Sequence, residues 1–154
     1  MDVKVWLCET YIFFSKINKQ YLESSLIELK DLFKENYQNY KILHFIINRY
    51  LIDDINYTSF DQEINGEFIC VEAKFISVPS ILIKEISDVL AKYQIKIGSL
   101  FEKNYIQNFF KEQSLELTIS AHKIKSGLNQ NEISLVSKSY KKKGFFEKFF
   151  QLFS

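Results

Sequence analysis

The chain has 154 residues, 20 basic against 19 acidic, and is 47% hydrophobic, with 15 Phe and 9 Tyr. So many apolar side chains exclude disorder as the default state and can fill the core of one ordinary domain. A net charge of +1 lacks the basic excess of a nucleic-acid binder, so no nucleic acid is expected among the partners.

Residues 3–7 and 11–17 are strand-forming runs separated by Glu9 and Thr10, a pattern that predicts a hairpin. Leu22, Leu26, Leu29 and Phe33 recur at i, i+4, i+7 and i+11, which predicts an amphipathic helix over 21–37. Glu23, Glu28, Lys30, Asp31 and Lys34 would cover its outer side.

Residues 41–53 are the densest run of β-branched and aromatic side chains and predict an interior strand. Strict alternation would place Ile42, His44, Ile46, Asn48, Tyr50 and Ile52 on one face. Leu43, Phe45, Ile47, Arg49 and Leu51 would take the other. Residues 53–66 form a polar connection closed by Asn65-Gly66, a turn signal. A strand is expected over 67–78. Pro79 then suits the first turn of a helix over 81–93. Leu82, Ile86, Val89, Leu90 and Tyr93 mark the apolar face of that helix, and residues 95–101 read as a returning strand.

This order predicts an α+β fold over 1–104. It is a small, mainly antiparallel sheet with two amphipathic helices on one face. Residues 105–128 read as an extension. Ile106, Phe109 and Phe110 fit a helical turn, whereas Leu115, Leu117, Ile119 and Ala121 fit a helix or a strand equally well. Residues 129–143 read as a polar and basic linker.

Residues 144–154 form the sharpest amphipathic pattern. At ~100° per residue, Phe145, Phe146, Phe149, Phe150, Leu152 and Phe153 fall within an arc of roughly 160°. Lys141, Lys142 and Lys143 stand directly before them. An aromatic face beside a basic cluster is what lets a helix lie in an anionic membrane interface. Lys141, Lys142, Lys143, Phe145, Phe146, Phe149, Phe150 and Phe153 are therefore the candidate membrane-binding residues. At ~16 Å such a helix is too short to span a bilayer. Packing on its own domain and docking in a partner's groove are the competing readings.

Catalytic chemistry is not suggested. His44 and His122 lack metal-ligand spacing and read as structural histidines. The four glycines are isolated, so no phosphate-cradling loop can be built. Cys8 and Cys70 sit in apolar runs as small hydrophobes. The Asp53-Asp54 pair reads as solvated charge at a strand end. No catalytic, metal or cofactor-binding residue is assigned, and a non-enzyme is expected. Neither a signal peptide nor an apolar run of ~20 residues is present. The expected location is cytoplasmic, peripheral on the inner face of the cell membrane.

Residues 42–53 resemble the bacterial cell-division actin homologue FtsA. That family carries hydrophobic-Leu-His-x-Ile-Pro-x-x-Tyr-x-hydrophobic-Asp. Leu43, His44, Ile46, Tyr50 and Asp53 match it, and Ile47 replaces the proline. Gly66 and the strand, helix and strand after it follow the family order, as do the hairpin and helix before it. Together they cover the family's small 1C subdomain, and residues 144–154 resemble its C-terminal membrane-targeting helix. The actin-like ATP-binding subdomains have no counterpart here, nor does the subdomain that binds FtsZ. The resemblance therefore implies a non-enzymatic, membrane-tethered cell-division adaptor without ATPase activity. It implies division-machinery proteins and an anionic membrane surface as partners, with self-association as a further contact. The alternative is a soluble structural subunit of another envelope or pilus-type assembly, whose tail helix docks in a partner protein.

Overall fold

The computed structural model describes residues 3–13, 19–58, 66–111, 113 and 115–133. In chain order the elements are β1 (Lys4–Phe13), α1 (Lys19–Asn36), β2 (Tyr40–Ile52), β3 (Ile55–Tyr57), β4 (Phe68–Pro79), α2 (Ser80–Ala91), α3 (Lys103–Phe109) and α4 (Leu117–Lys125). The strands form one antiparallel sheet in the order β1-β4-β2-β3. The α+β class and the small antiparallel sheet are as the sequence predicts.

The α1 stripe behaves as its spacing requires. Leu22, Leu26, Leu29 and Phe33 are buried against one face of the sheet. That face is built from Phe45, Ile47, Tyr50 and Ile52 of β2 and Ile69, Val71, Ala73 and Phe75 of β4. Phe75 stacks between Phe33 and Phe45, with ring centroids 4.4 Å apart on each side. Trp6 of β1 closes the end of the core against Phe33, Tyr37 and Tyr40. Each large side chain buried here contributes roughly 1.5–3 kcal/mol.

Strict alternation fails in β2, for a local reason. Register shifts fall between Ile42 and His44 and between Ile47 and Arg49. Leu43 and Asn48 are the extra residues of two β-bulges, and each reverses the parity of the strand residues beyond it. Ile42, Phe45, Ile47, Tyr50 and Ile52 thereby share the α1 face. His44, Ile46, Arg49 and Leu51 pair with Ile76, Lys74, Glu72 and Cys70 and lie on the opposite face. The second bulge brings two side chains to one carboxylate. Arg49 Nη2 is 2.9 Å from Glu72 Oε2, and the Asn48 amide donates to Glu72 Oε1.

Four further expectations are corrected. β1 is unbroken from Lys4 to Phe13, and ten register pairs with β4 override the interruption expected at Glu9 and Thr10. Expected strand residues 14–17 lie outside the described residues. The polar connection contains a short strand, β3, reached through Asp53 (φ 47°) and Asp54 (φ 66°). Two left-handed central residues are what a type I′ hairpin needs, and Asp tolerates them. Asp53 is also more than solvated charge, because its carboxylate accepts from the Glu67 and Phe68 amides. Residues 95–101 form no strand, since β4 is already flanked by β1 and β2.

The boundary at 104 falls inside α3, and residues 129–133 are not linker. The Ile133 amide donates to Phe45 O at 2.7 Å, and the Ile47 amide donates to Asn131 O at 2.8 Å. Ile133 joins the α1-side core. The helical alternative holds over 117–125. α4 is closed after its Ser126 cap by Gly127 (φ 84°), where Gly127 and Leu128 donate to Ile124 and Lys123 carbonyls in a Schellman motif.

Gly66 is required by close approach. A Cβ there would overlap Ile52 Cγ2 and lie 2.8 Å from Asp53 Oδ2. Ile52 is buried and β-branched, so it has little room to move. Gly66→Ala is expected to lower stability by about 1–3 kcal/mol in urea unfolding, the usual cost of overpacking.

Candidate protein-interaction cleft

The face of the sheet opposite α1 is organised by His44, which is 1% exposed. The Glu102 amide donates to His44 Nε2 at 3.0 Å. Nε2 therefore carries the lone pair, and the ring proton sits on Nδ1. Nδ1 donates to Glu132 Oε1 at 2.6 Å. The Tyr105 hydroxyl donates to Glu132 Oε2 at 2.7 Å and accepts from the Asn129 amide at 2.7 Å. The Glu102 carboxylate caps α3 by accepting from the Asn104 and Tyr105 amides. The His44 ring lies 4.4 Å from Tyr105 and 5.8 Å from Phe101.

One network thus ties β2 to the start of α3 and to the segment after α4. A satisfied network of this kind fixes a single arrangement, because each buried group would be costly if left unpaired. Ile106, Phe110 and Ile124 form a second apolar cluster that holds α3 against α4. The expectation of a structural role fits His44, since both ring nitrogens are engaged and Nε2 has no lone pair left for proton abstraction. Burial, reinforced by the Glu132 charge, pushes the Tyr105 phenol far above the ordinary tyrosine range. Burial alone does the same to Tyr50.

Beside this clamp lies a cleft of about 870 Å³. Its walls are α2, residues 95–101, the end of α4 and the edge of β2 at Lys41, Ile42 and Leu43. Ile83 and Ser87 turn toward it. No residue of α2 is fully buried. Of its expected core stripe, Ile86, Val89 and Tyr93 are 37%, 54% and 73% exposed. Ile81 and Ile95 are also exposed apolar residues. The expected apolar face is thus not a core face: the described sheet does not cover it, and α2 turns Ile83, Ser87 and Ala91 to the cleft. α2 leaves the sheet directly after Pro79, and its sheet-side residues line the cleft instead.

Lys141, Lys142, Lys143, Phe145, Phe146, Phe149, Phe150 and Phe153 all lie outside the described residues. Ile133, the last described residue before them, lines the cleft. Among the described residues no cluster of three His, Cys, Asp or Glu could hold a metal ion. No described helix is long and apolar enough to cross a membrane. Cys8 and Cys70 form no disulfide. Burial raises the Cys8 pKa, which keeps it a poor nucleophile. His122 is exposed on α4. Glu102, Tyr105, Asn129 and Glu132 carried no signal in the sequence. Glu132 is 88 residues from His44, in a stretch with linker composition.

His44→Leu removes the acceptor of the Glu102 amide and the donor to Glu132. It is expected to cost about 2–4 kcal/mol in urea unfolding and to speed amide exchange at Glu102 and Ile133. The Tyr105 shift also has a signed consequence. A phenol whose pKa is higher in the folded state adds stability below the unfolded value of about 10. That stability falls as pH rises above this value. Tyr105→Phe should flatten the alkaline loss of stability, measured by unfolding between neutral pH and pH above 10, with the part due to Tyr50 remaining.

No protein-family model matches the chain, and no curated protein matches its sequence.

Proposed function

We propose that the chain is a non-enzymatic, FtsA-like cell-division adaptor. Its α+β domain binds protein partners, and the amphipathic segment at 144–154, with Lys141, Lys142 and Lys143, holds it on the inner face of the cell membrane. The observation that carries the reading is the uncovered apolar surface of Ile81, Val89, Tyr93 and Ile95 beside an open cleft. An exposed patch of this kind marks an interaction site more often than a solvated face. The pattern Leu43-His44-x-Ile46, with Tyr50 and Asp53, supports the division assignment. The clamp at His44 supports the tether, since Ile133, the last described residue before the amphipathic segment, is fixed to β2. A pull on a membrane tether would be transmitted to the sheet.

A fluorescent fusion of the full chain is expected to form a mid-cell band that becomes diffuse when the chain ends at Ser139. Uniform fluorescence from both would overturn the tether and favour the soluble envelope-assembly subunit. In vitro, replacing Phe149 and Phe150 by Asp should abolish flotation with phosphatidylglycerol vesicles. Binding of the parent chain should weaken as salt rises, because the lysine contribution is screened. Unchanged flotation of the double variant would remove the anchoring role of the phenylalanines.

A further inference from the structure

The cleft has a charge bias that the whole chain lacks. Lys41, Lys96 and Lys125 line it and are exposed. Glu132 is the sole carboxylate lining it among the described residues, and it is already committed to His44 and Tyr105. Leu43, Ile83, Ile95 and Ile97 supply apolar walls. One wall is a strand edge. Residues 40–44 of β2 pair with β4 on one side, and on the other no described strand runs beside them past the Ile46–Glu132 bridge.

We propose that this cleft docks an extended partner segment in which apolar and acidic side chains alternate. The segment would add to the edge of β2 at residues 40–44, beyond the last described pairing on that side, with backbone hydrogen bonds supplying affinity. Successive side chains of a strand point to opposite sides. One row would meet Leu43, Ile83, Ile95 and Ile97, and the other would meet the three lysines. Complementary charge selects the partner and speeds encounter. The same lysines disfavour the chain's own segment at Lys141, Lys142 and Lys143 as occupant. The inference rests on the partner-binding reading and names its site and chemistry.

The test is fluorescence anisotropy on the full chain with a fluorescein-labelled leucine-glutamate repeat peptide, against the leucine-lysine repeat. The glutamate peptide is expected to bind and the lysine peptide to fail. Combined Lys41→Glu, Lys96→Glu and Lys125→Glu should weaken binding roughly tenfold, from three partly screened pairs. The altered side chains are exposed, and the three single variants give graded losses should the combination misfold. Equal binding of both peptides, or no effect of charge reversal, would overturn the proposal. Binding only to a chain ending at Ile133 would also overturn it, by assigning the cleft to the chain's own later residues. Failure here with a mid-cell band retained would refute the cleft alone. Peptide binding with diffuse fluorescence would refute the tether alone.

Discussion

The constraint on which the structure depends is the parity of β2. A strand that alternated without interruption from Ile42 to Ile52 would set Phe45 and Ile47 on the face opposite Tyr50 and Ile52. The bulges at Leu43 and Asn48 bring all four to the α1 side, where Leu22, Leu26 and Phe33 meet them. They also send His44 to the other side and place Asn48 and Arg49 together at Glu72. A single slip here would unpair the core and the polar face together, because a one-residue shift exchanges faces along the strand.

His44 turns that second face into a scaffold. Its two nitrogens read two distant parts of the chain, the Glu102 amide and the Glu132 carboxylate. The neutral tautomer is set by its partners, because an amide donor can meet only an unprotonated nitrogen. The arrangement of histidine, carboxylate and tyrosine has the elements of a proton relay. Burial and full engagement give it a positioning role instead. It anchors two short helices that bury only Ile106, Ser120 and Ile124 of their own.

What the scaffold leaves open is as informative as what it closes. α2 is amphipathic, yet its apolar residues are divided between a cleft wall and an uncovered outer surface. A domain that orders residues 95–101 and 129–133 while leaving such a surface has room for a partner beside its most tightly held strand. The basic bias of the cleft, in a chain with 20 basic and 19 acidic residues, arises from spatial arrangement alone.

The sequence by itself determined the parts that depend on local periodicity. These are the α1 stripe, the strands around Ile46 and Val71, the helix after Pro79 and the α+β class. Hydrophobic spacing and turn chemistry act over a few residues and can be read there. Tertiary structure alone decided the bulges, the unbroken β1, the short β3 and the fate of residues 95–101. In each case a neighbouring strand, remote in sequence, set the outcome. The site lay further from view. Lys41, Lys96 and Lys125 are spread over more than half the chain and share a cleft only because α2, α4 and β2 converge. Glu132 looked like linker because its partners, His44 and Tyr105, are brought to it by the fold. Local pattern records which side chains seek burial. Which of them meet is settled by long-range pairing, and that pairing has no signature in any one stretch of sequence.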